Sequence, residues 1–206
     1  DTNNRLEDYL ICFRKFYNLA DYLTINISSP NTENLRSFHN EDELGELLSI
    51  IEKEKKLLKT SVPIAVKISP DVEDKNINII SDLLLKYSVE AVIISNTTDK
   101  NRENLSNINK LEKGGLSGKP LENRSNELIN KFYKILKNKI KIIGVGGVDS
   151  GQSAYQKIIN GASLVQLYTG MIYQGPNIAS KISGELINIL EKEGVKNISD
   201  IVGSKN

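Results

Sequence analysis

An apolar run from Tyr22 to Ile27 ends in Asn26-Ile27-Ser28-Ser29-Pro30-Asn31, a cluster of amide and hydroxyl groups. Two asparagines offer paired donors and acceptors suited to a planar polar ring, two serines offer hydroxyls, and Pro30 restricts the backbone between them. A plain turn after a strand has the same composition. A second amide closes the run Ala91 to Ser95, where Asn96 and Thr97 follow directly. Two such amides can clamp an imide-like ring, and an Asx turn capping the strand is the alternative. Lys67 interrupts the apolar stretch Pro63-Ile64-Ala65-Val66-Lys67-Ile68. A charge inside a strand needs a purpose: it could neutralise negative charge developing on a bound ring, or it snorkels to water from an edge.

Two glycine-rich stretches have phosphate-binding chemistry. Gly144-Val145-Gly146-Gly147-Val148 follows a strand and leads to Ser150, a suitable helix N-cap. A dinucleotide fingerprint would need glycine where Asp149 stands and an acidic residue near Gln166, so the loop suits a mononucleotide phosphate and not a Rossmann fold. Tyr168-Thr169-Gly170 ends the next strand, so Gly147 and Thr169 could share one phosphate, or the two loops are simply tight turns. Gly114-Gly115-Leu116-Ser117-Gly118-Lys119-Pro120 is too short for a nucleotide P-loop, and Pro120 replaces the magnesium-binding hydroxyl. It remains a glycine-rich lid, a contact to a cofactor edge, or a flexible solvent loop.

The elements that must carry these residues alternate along the chain. Leu6, Leu10, Phe13 and Tyr17 recur at helical spacing before the strand at Tyr22, and Leu44, Leu47, Leu48 and Ile51 stripe a helix over Glu41 to Leu58. The strand at Pro63 to Ile68 precedes a helix marked by Ile77, Ile80, Leu84 and Tyr87, and Ala91 to Ser95 is the next strand. Leu128, Phe132 and Ile135 mark another helix, Ile140 to Val145 a strand, Ser150 to Asn160 a helix, and Leu164 to Tyr168 a strand. Ile178, Ile182, Leu186 and Ile189 mark a closing helix. Strands that are apolar throughout are expected to be buried on both faces, in a parallel sheet covered by helices.

An open doubly wound sheet and a barrel both fit, but Asn26, Ser69, Asn96, Gly146 and Thr169 follow successive strands, as at the active face of a TIM barrel. Eight βα units take roughly 250 residues, so five units in this chain predict the last five-eighths of a TIM (β/α)8 barrel, with its first three strands outside the chain. The irregular stretch from Thr97 to Arg124 is long enough to be an active-site loop.

Composition narrows the chemistry further. With 27 basic and 26 acidic residues in 206, the net charge of +1 offers no electrostatic case for nucleic acid or an anionic membrane surface. Cys12 is the single cysteine and His39 the single histidine. Disulfides and thiolate metal sites therefore have little support, a single histidine removes most zinc and Ser-His-Asp arrangements from consideration, no metal site is expected, and His39 reads as a surface loop residue. No apolar run approaches the ~20 residues of a membrane span.

Taken together and in order, Asn26 to Asn31, Val66-Lys67-Ile68, Ser95-Asn96-Thr97-Thr98, Gly114 to Pro120, Gly144 to Gly147 and Gly161 to Thr169 resemble the class 2, quinone-dependent dihydroorotate dehydrogenases. The similar class 1 enzymes carry cysteine where Ser29 stands. The resemblance implies oxidation of dihydroorotate to orotate in pyrimidine biosynthesis, with Ser29 as base, hydride passing to FMN and electrons then to quinone. It implies that Asn26, Asn31, Asn96 and Thr97 hold the substrate. Asn26, Lys67, Ser95 and Gly118 would contact the flavin, and Gly147, Tyr168 and Thr169 its phosphate. Serine is a weak base alone, and Thr32 is the nearest hydroxyl that could assist.

The resemblance further implies that residues 1–206 are the C-terminal portion of one FMN-binding barrel domain, without the amino-terminal helical segment that admits quinone. The intact enzyme would be peripheral on the cytoplasmic face of a bacterial membrane, or on the mitochondrial inner membrane. A related flavin barrel using NAD or fumarate, a flavin-free phosphate-binding barrel, and an inactive fragment are the alternatives.

Overall fold

The computed structural model describes residues 4–32, 35–100, 102–103 and 105–206. Asn101 and Asn104, inside the long irregular stretch, lie outside the described residues. The chain alternates helix and strand: α1 Arg5–Phe16, β1 Leu23–Asn26, α2 Glu41–Leu57, β2 Ile64–Ile68, α3 Asp74–Lys86 and β3 Ala91–Ile94. It continues with α4 Glu122–Leu136, β4 Lys141–Val145, α5 Gly151–Asn160, β5 Leu164–Gln166, α6 Thr169–Gln174 and α7 Ile178–Lys192.

All four strand pairings are parallel, and the spatial order β1-β2-β3-β4-β5 is the chain order. A doubly wound sheet reverses its order at a switch point, whereas strands added in one direction around an arc are those of a barrel. The sheet is therefore a partial (β/α)8 barrel. Its curl brings the two edges towards each other, since Gln166 at the end of β5 donates a hydrogen bond of 3.4 Å to the Tyr22 hydroxyl just before β1.

Register assigns each residue to a face. Ile25, Ile64, Val66, Ile68, Val92, Ile94 and Ile142 pack with α2, α3 and α4 in the main core, where Leu44, Leu84, Leu128 and Phe132 are buried. Ala65, Ile93 and Ile143 form a smaller cluster on the opposite, concave face. Lys67 pairs in register with Asn26 and Ile93 and so shares that concave face, at the end where the strands finish. Burial on both faces, expected for every strand, holds for β2, β3 and β4 only. The edge strands β1 and β5 alternate or stay open, because among the described residues each has a strand on one side alone.

Three expectations change in detail. Strand β5 is shorter than Leu164 to Tyr168: the chain leaves the sheet after Gln166, and Thr169 begins the short helix α6, which no hydrophobic periodicity announced. The long stretch after β3 carries two single-turn 3-10 helices, at Ile108–Leu111 and Lys119–Leu121, and α4 already starts at Glu122. His39 is not a surface loop residue. It ends the 3-10 helix Leu35–His39 and is only 6% exposed. Its Nε2 accepts from the Ser69 N–H at 3.2 Å, so the proton must sit on Nδ1, which donates to the Arg36 carbonyl at 2.8 Å. Burial pushes its pKa down and keeps the ring neutral.

Candidate active site

The strand ends open onto a cavity of about 810 Å³ on the C-terminal side of the sheet. Lys67, Ser95, Gly118, Gly147, Tyr168 and Thr169 all line it. These lie on β2, in the turns just after β3, β4 and β5, at the start of α6 and on the glycine-rich stretch, so six residues spread over about a hundred positions meet around one cavity. Asn96 and Thr97 also line this cavity.

Each side is built differently. At the β4 end the backbone does the shaping, with Gly146 and Gly147 both at positive φ, +116° and +75°. A Cβ on Gly147 would lie 2.6 Å from the Cβ of Glu122, so only glycine lets the loop rest on the first turn of α4. The following helix is held by a capping box, in which the Ser150 hydroxyl accepts from the Ser153 N–H and the Ser153 hydroxyl accepts from the Ser150 N–H. The stretch Gly114 to Gly118 folds back across the mouth. Thr98 and Leu116 form an antiparallel bridge, the Ser117 hydroxyl lies 2.9 Å from that of Thr169, and Gly118 packs on the Thr169 side chain.

On the other side, side chains do the work. The Asn26 oxygen accepts from the Ser28 hydroxyl at 2.7 Å, and Asn96 donates to the same hydroxyl at 3.0 Å. Tyr9 of α1 donates to the Asn26 carbonyl at 2.7 Å, and its own burial raises its pKa to about 12, so it stays a donor. Lys67 makes no ion pair among the described residues, and desolvation lowers its pKa. An unpaired, half-buried ammonium facing a cavity is matched to an anion or to a ring that accumulates negative charge.

The family model described as dihydroorotate dehydrogenase matches residues 1–190 of the chain. The chain belongs to the dihydroorotate dehydrogenase family. It is 43% identical over 209 aligned positions, covering 97% of the chain and 54% of the relative, to a protein of Trichodesmium erythraeum named dihydroorotate dehydrogenase (quinone). A protein of Nitrosomonas europaea with the same name is 46% identical over 183 positions, covering 86% of the chain and 53% of the relative. A crystal structure of ligand-free DHODH from Eimeria tenella superposes with a TM-score of 0.95 at 34% identity, covering all of the chain and 62% of that structure. The chain thus spans about half the length of the curated relatives it matches.

Within this dihydroorotate dehydrogenase fold, the residues expected at the cofactor converge on the cavity except Asn26, which does not line it, while those expected at the substrate divide. Asn26, Asn96 and Thr97 are joined through Ser28 and the Asn96 oxygen, which accepts from the Thr97 N–H at 2.8 Å. Ser29 and Asn31 lie on the loop beyond, linked to each other by the Asn31 N–H donating to the Ser29 hydroxyl at 3.2 Å, and neither lines the cavity wall. That loop reaches the rim through Pro30: Gly115 sits against the Thr97 side chain, and a Cβ on it would lie 3.3 Å from Pro30 Cγ.

Several supporting residues had no sequence signal. Asp71 accepts from the Thr98 hydroxyl at 2.7 Å and lies 3.2 Å from Arg36, whose other nitrogen bonds Asp99 at 2.9 Å. This network ties together the loops after β1, β2 and β3. The Arg36 hydrogen bond holds the Asp99 carboxyl below its ordinary pKa. Arg102 clamps the long loop by donating to the carbonyls of Glu112, at 2.6 Å, and Gly114. Ser28 was visible only as one of two adjacent hydroxyls.

Proposed function

We propose that the protein oxidises dihydroorotate to orotate in pyrimidine biosynthesis, with FMN in the 810 Å³ cavity and a quinone as the final electron acceptor. The observation that carries the reading is the convergence of Lys67, Ser95, Gly118, Gly147, Tyr168 and Thr169 on one cavity, beside the joined amides of Asn26 and Asn96.

The residues fit a phosphorylated flavin. Gly147 lets its loop backbone pack directly on Glu122 while lining the cavity, and the Thr169 hydroxyl at the start of α6 lines the same cavity, a donor set suited to phosphate. Lys67 supplies the positive charge that a reduced isoalloxazine ring requires, and Ser95 and Gly118 line its edge. FMN, when bound, supplies the two-electron acceptor for the hydride lost by the substrate. Asn26, Asn31, Asn96 and Thr97 hold the pyrimidine and its carboxylate.

Ser29 takes the proton. Its hydroxyl oxygen accepts a backbone hydrogen bond from Asn31, which favours the deprotonated form, though no general base stands beside it among the described hydrogen bonds. Quinone reduction calls for access from a lipid phase, so the working protein is peripheral on a membrane. Among the described residues no helix is long and apolar enough to cross one.

The test is spectroscopic. The purified protein should be yellow, release FMN on denaturation, bleach on anaerobic addition of dihydroorotate and recover colour with a soluble quinone. A colourless protein with no flavin would favour a phosphate-binding barrel instead, and bleaching by NADH in place of dihydroorotate would move the protein to a different flavin chemistry.

A further inference from the structure

Two backbone N–H groups settle which way the rim amides face. The Ser28 N–H lies 3.2 Å from Asn26 Oδ1, and the Thr97 N–H lies 2.8 Å from Asn96 Oδ1. A backbone N–H only donates, so in each side chain the atom facing it must be the oxygen. The amino group of Asn96 consequently points to Ser28, whose hydroxyl accepts at 3.0 Å and is left with one proton to give. That proton goes to Asn26 Oδ1 at 2.7 Å. Asn26 Oδ1 also lies 3.5 Å from Asn96 Nδ2, so its lone pairs are fully occupied within the protein.

The consequence is a polarity. Both amide oxygens are turned inward, while the amino group of the exposed Asn26 has no acceptor among the described residues and that of Asn96 keeps one proton in only a marginal contact. Ser28 itself is 0% exposed and does not line the cavity. We propose that Ser28 is a positioning residue that locks Asn26 and Asn96 with their N–H groups outward, so that this rim selects a ligand edge made of acceptors. Ring carbonyls and carboxylates satisfy it. A ring amino group at the same place would set donor against donor and leave both unpaired.

This inference rests on the proposed function, because it takes the two amides to face the pyrimidine. Its test is Ser28→Ala in the FMN-loaded protein, with orotate titrated through the change in flavin absorbance. Loss of the buried hydroxyl leaves each amide oxygen on its single backbone N–H, about which the amino groups of Asn96 and Asn26 can swing out of line. Orotate dissociation constant and dihydroorotate KM should each rise ~5- to 10-fold, as expected for one lost orienting hydrogen bond, while kcat at saturation and FMN retention stay within about twofold. A 4-amino analogue of orotate, bound far more weakly than orotate by the parent, should recover part of the difference in the variant. Should Ser28→Ala not accumulate, Ser28→Cys carries the same readouts with a smaller rise of ~3-fold. An orotate constant equal to the parent's in either variant overturns the role of Ser28, as does a rise accompanied by equal loss of FMN, the mark of a merely structural residue. A parent protein that binds FMN but no orotate would sink the functional reading, and this inference with it.

Discussion

The rim at the ends of β1 to β3 and the rim at the ends of β4 and β5 solve recognition in opposite ways. The first uses side chains held by other side chains: Asn26, Ser28 and Asn96 form one hydrogen-bonded group, and Lys67 stands beside them in register. The second uses backbone exposed by glycine, with Gly146, Gly147 and Gly118 at positive φ, the Ser117 and Thr169 hydroxyls beside them, and Lys119 and Asp149 lining the same cavity. A planar ring with several distinct polar edges needs aimed donors, and side chains can be aimed individually. A phosphate is nearly spherical in its demand for N–H and hydroxyl groups, so a cradle of backbone serves it. On the proposed function, the first rim would govern chemistry and selectivity, and the second retention of the cofactor.

The largest break in this division should come from Ser29→Ala. Removing the proton acceptor is expected to lower kcat by ~100- to 10,000-fold with flavin content unchanged, measured by stopped-flow bleaching and by absorbance. Turnover close to the parent's would remove Ser29 from the role of base. Ser29→Cys should keep part of the activity, because a thiolate can accept the same proton.

Gly147→Val attacks the second rim. The positive φ costs about 1–2 kcal/mol for a residue with a side chain, and the clash with Glu122 adds an overpacking cost of ~1–3 kcal/mol. FMN affinity should fall by about 100-fold or more, while orotate still protects whatever holoenzyme forms. Equal FMN affinity in equilibrium dialysis would mean that the loop does not bear the phosphate.

Lys157 tests what lies beneath that second rim. It is 0% exposed, donates to Asn126 Oδ1 at 2.8 Å, and burial pushes its pKa down to about 8. Its ordinary pKa is near 10.5, so between about pH 8 and 10.5 the unfolded chain holds a proton that the folded one has released. Stability contributed by this group must therefore rise with pH across that window, by ~3 kcal/mol at most, and the penalty for burying its charge is complete below pH 8. Denaturant titrations of Lys157→Met against the parent at pH 7.5 and 9.5 should show the parent gaining relative to the variant. A constant difference between the two proteins would contradict the lowered pKa.

The smallest expected effect sharpens the boundary between the rims. Lys67→Met keeps bulk and removes the charge, so the flavin midpoint potential should drop and FMN bind a few-fold more weakly, with the orotate constant less affected. An unchanged potential would make Lys67 a solvated edge lysine.

Much of the second rim was legible in the chain. Gly144 to Gly147 and Thr169 occur where strands end, Gly118 in a glycine-rich loop, and a glycine that shapes backbone does so locally, whatever lies elsewhere. Strands and helices were legible for the same reason, because burial of β2, β3 and β4 on both faces leaves unbroken apolar runs. The short helix α6 was not, since six residues without a buried face carry no period to read. His39 was misjudged because a lone polar residue between helices has no local cue for burial, and the Ser69 N–H that accommodates it lies 30 residues away.

The sequence by itself determined the order of elements, the residue types at each strand end, and hence the kinds of chemistry present: amides, hydroxyls, one lysine and two glycine turns. Tertiary structure alone decided which of them act together. The Ser28 and Asn96 side chains are 68 residues apart and Ser117 and Thr169 are 52 apart, yet each pair hydrogen-bonds. Whether such groups meet depends on strand register and on the curl of the sheet, which many distant packing contacts set jointly. The direction of an amide is decided later still, by two backbone N–H groups that exist as donors at that point only once the loops are folded.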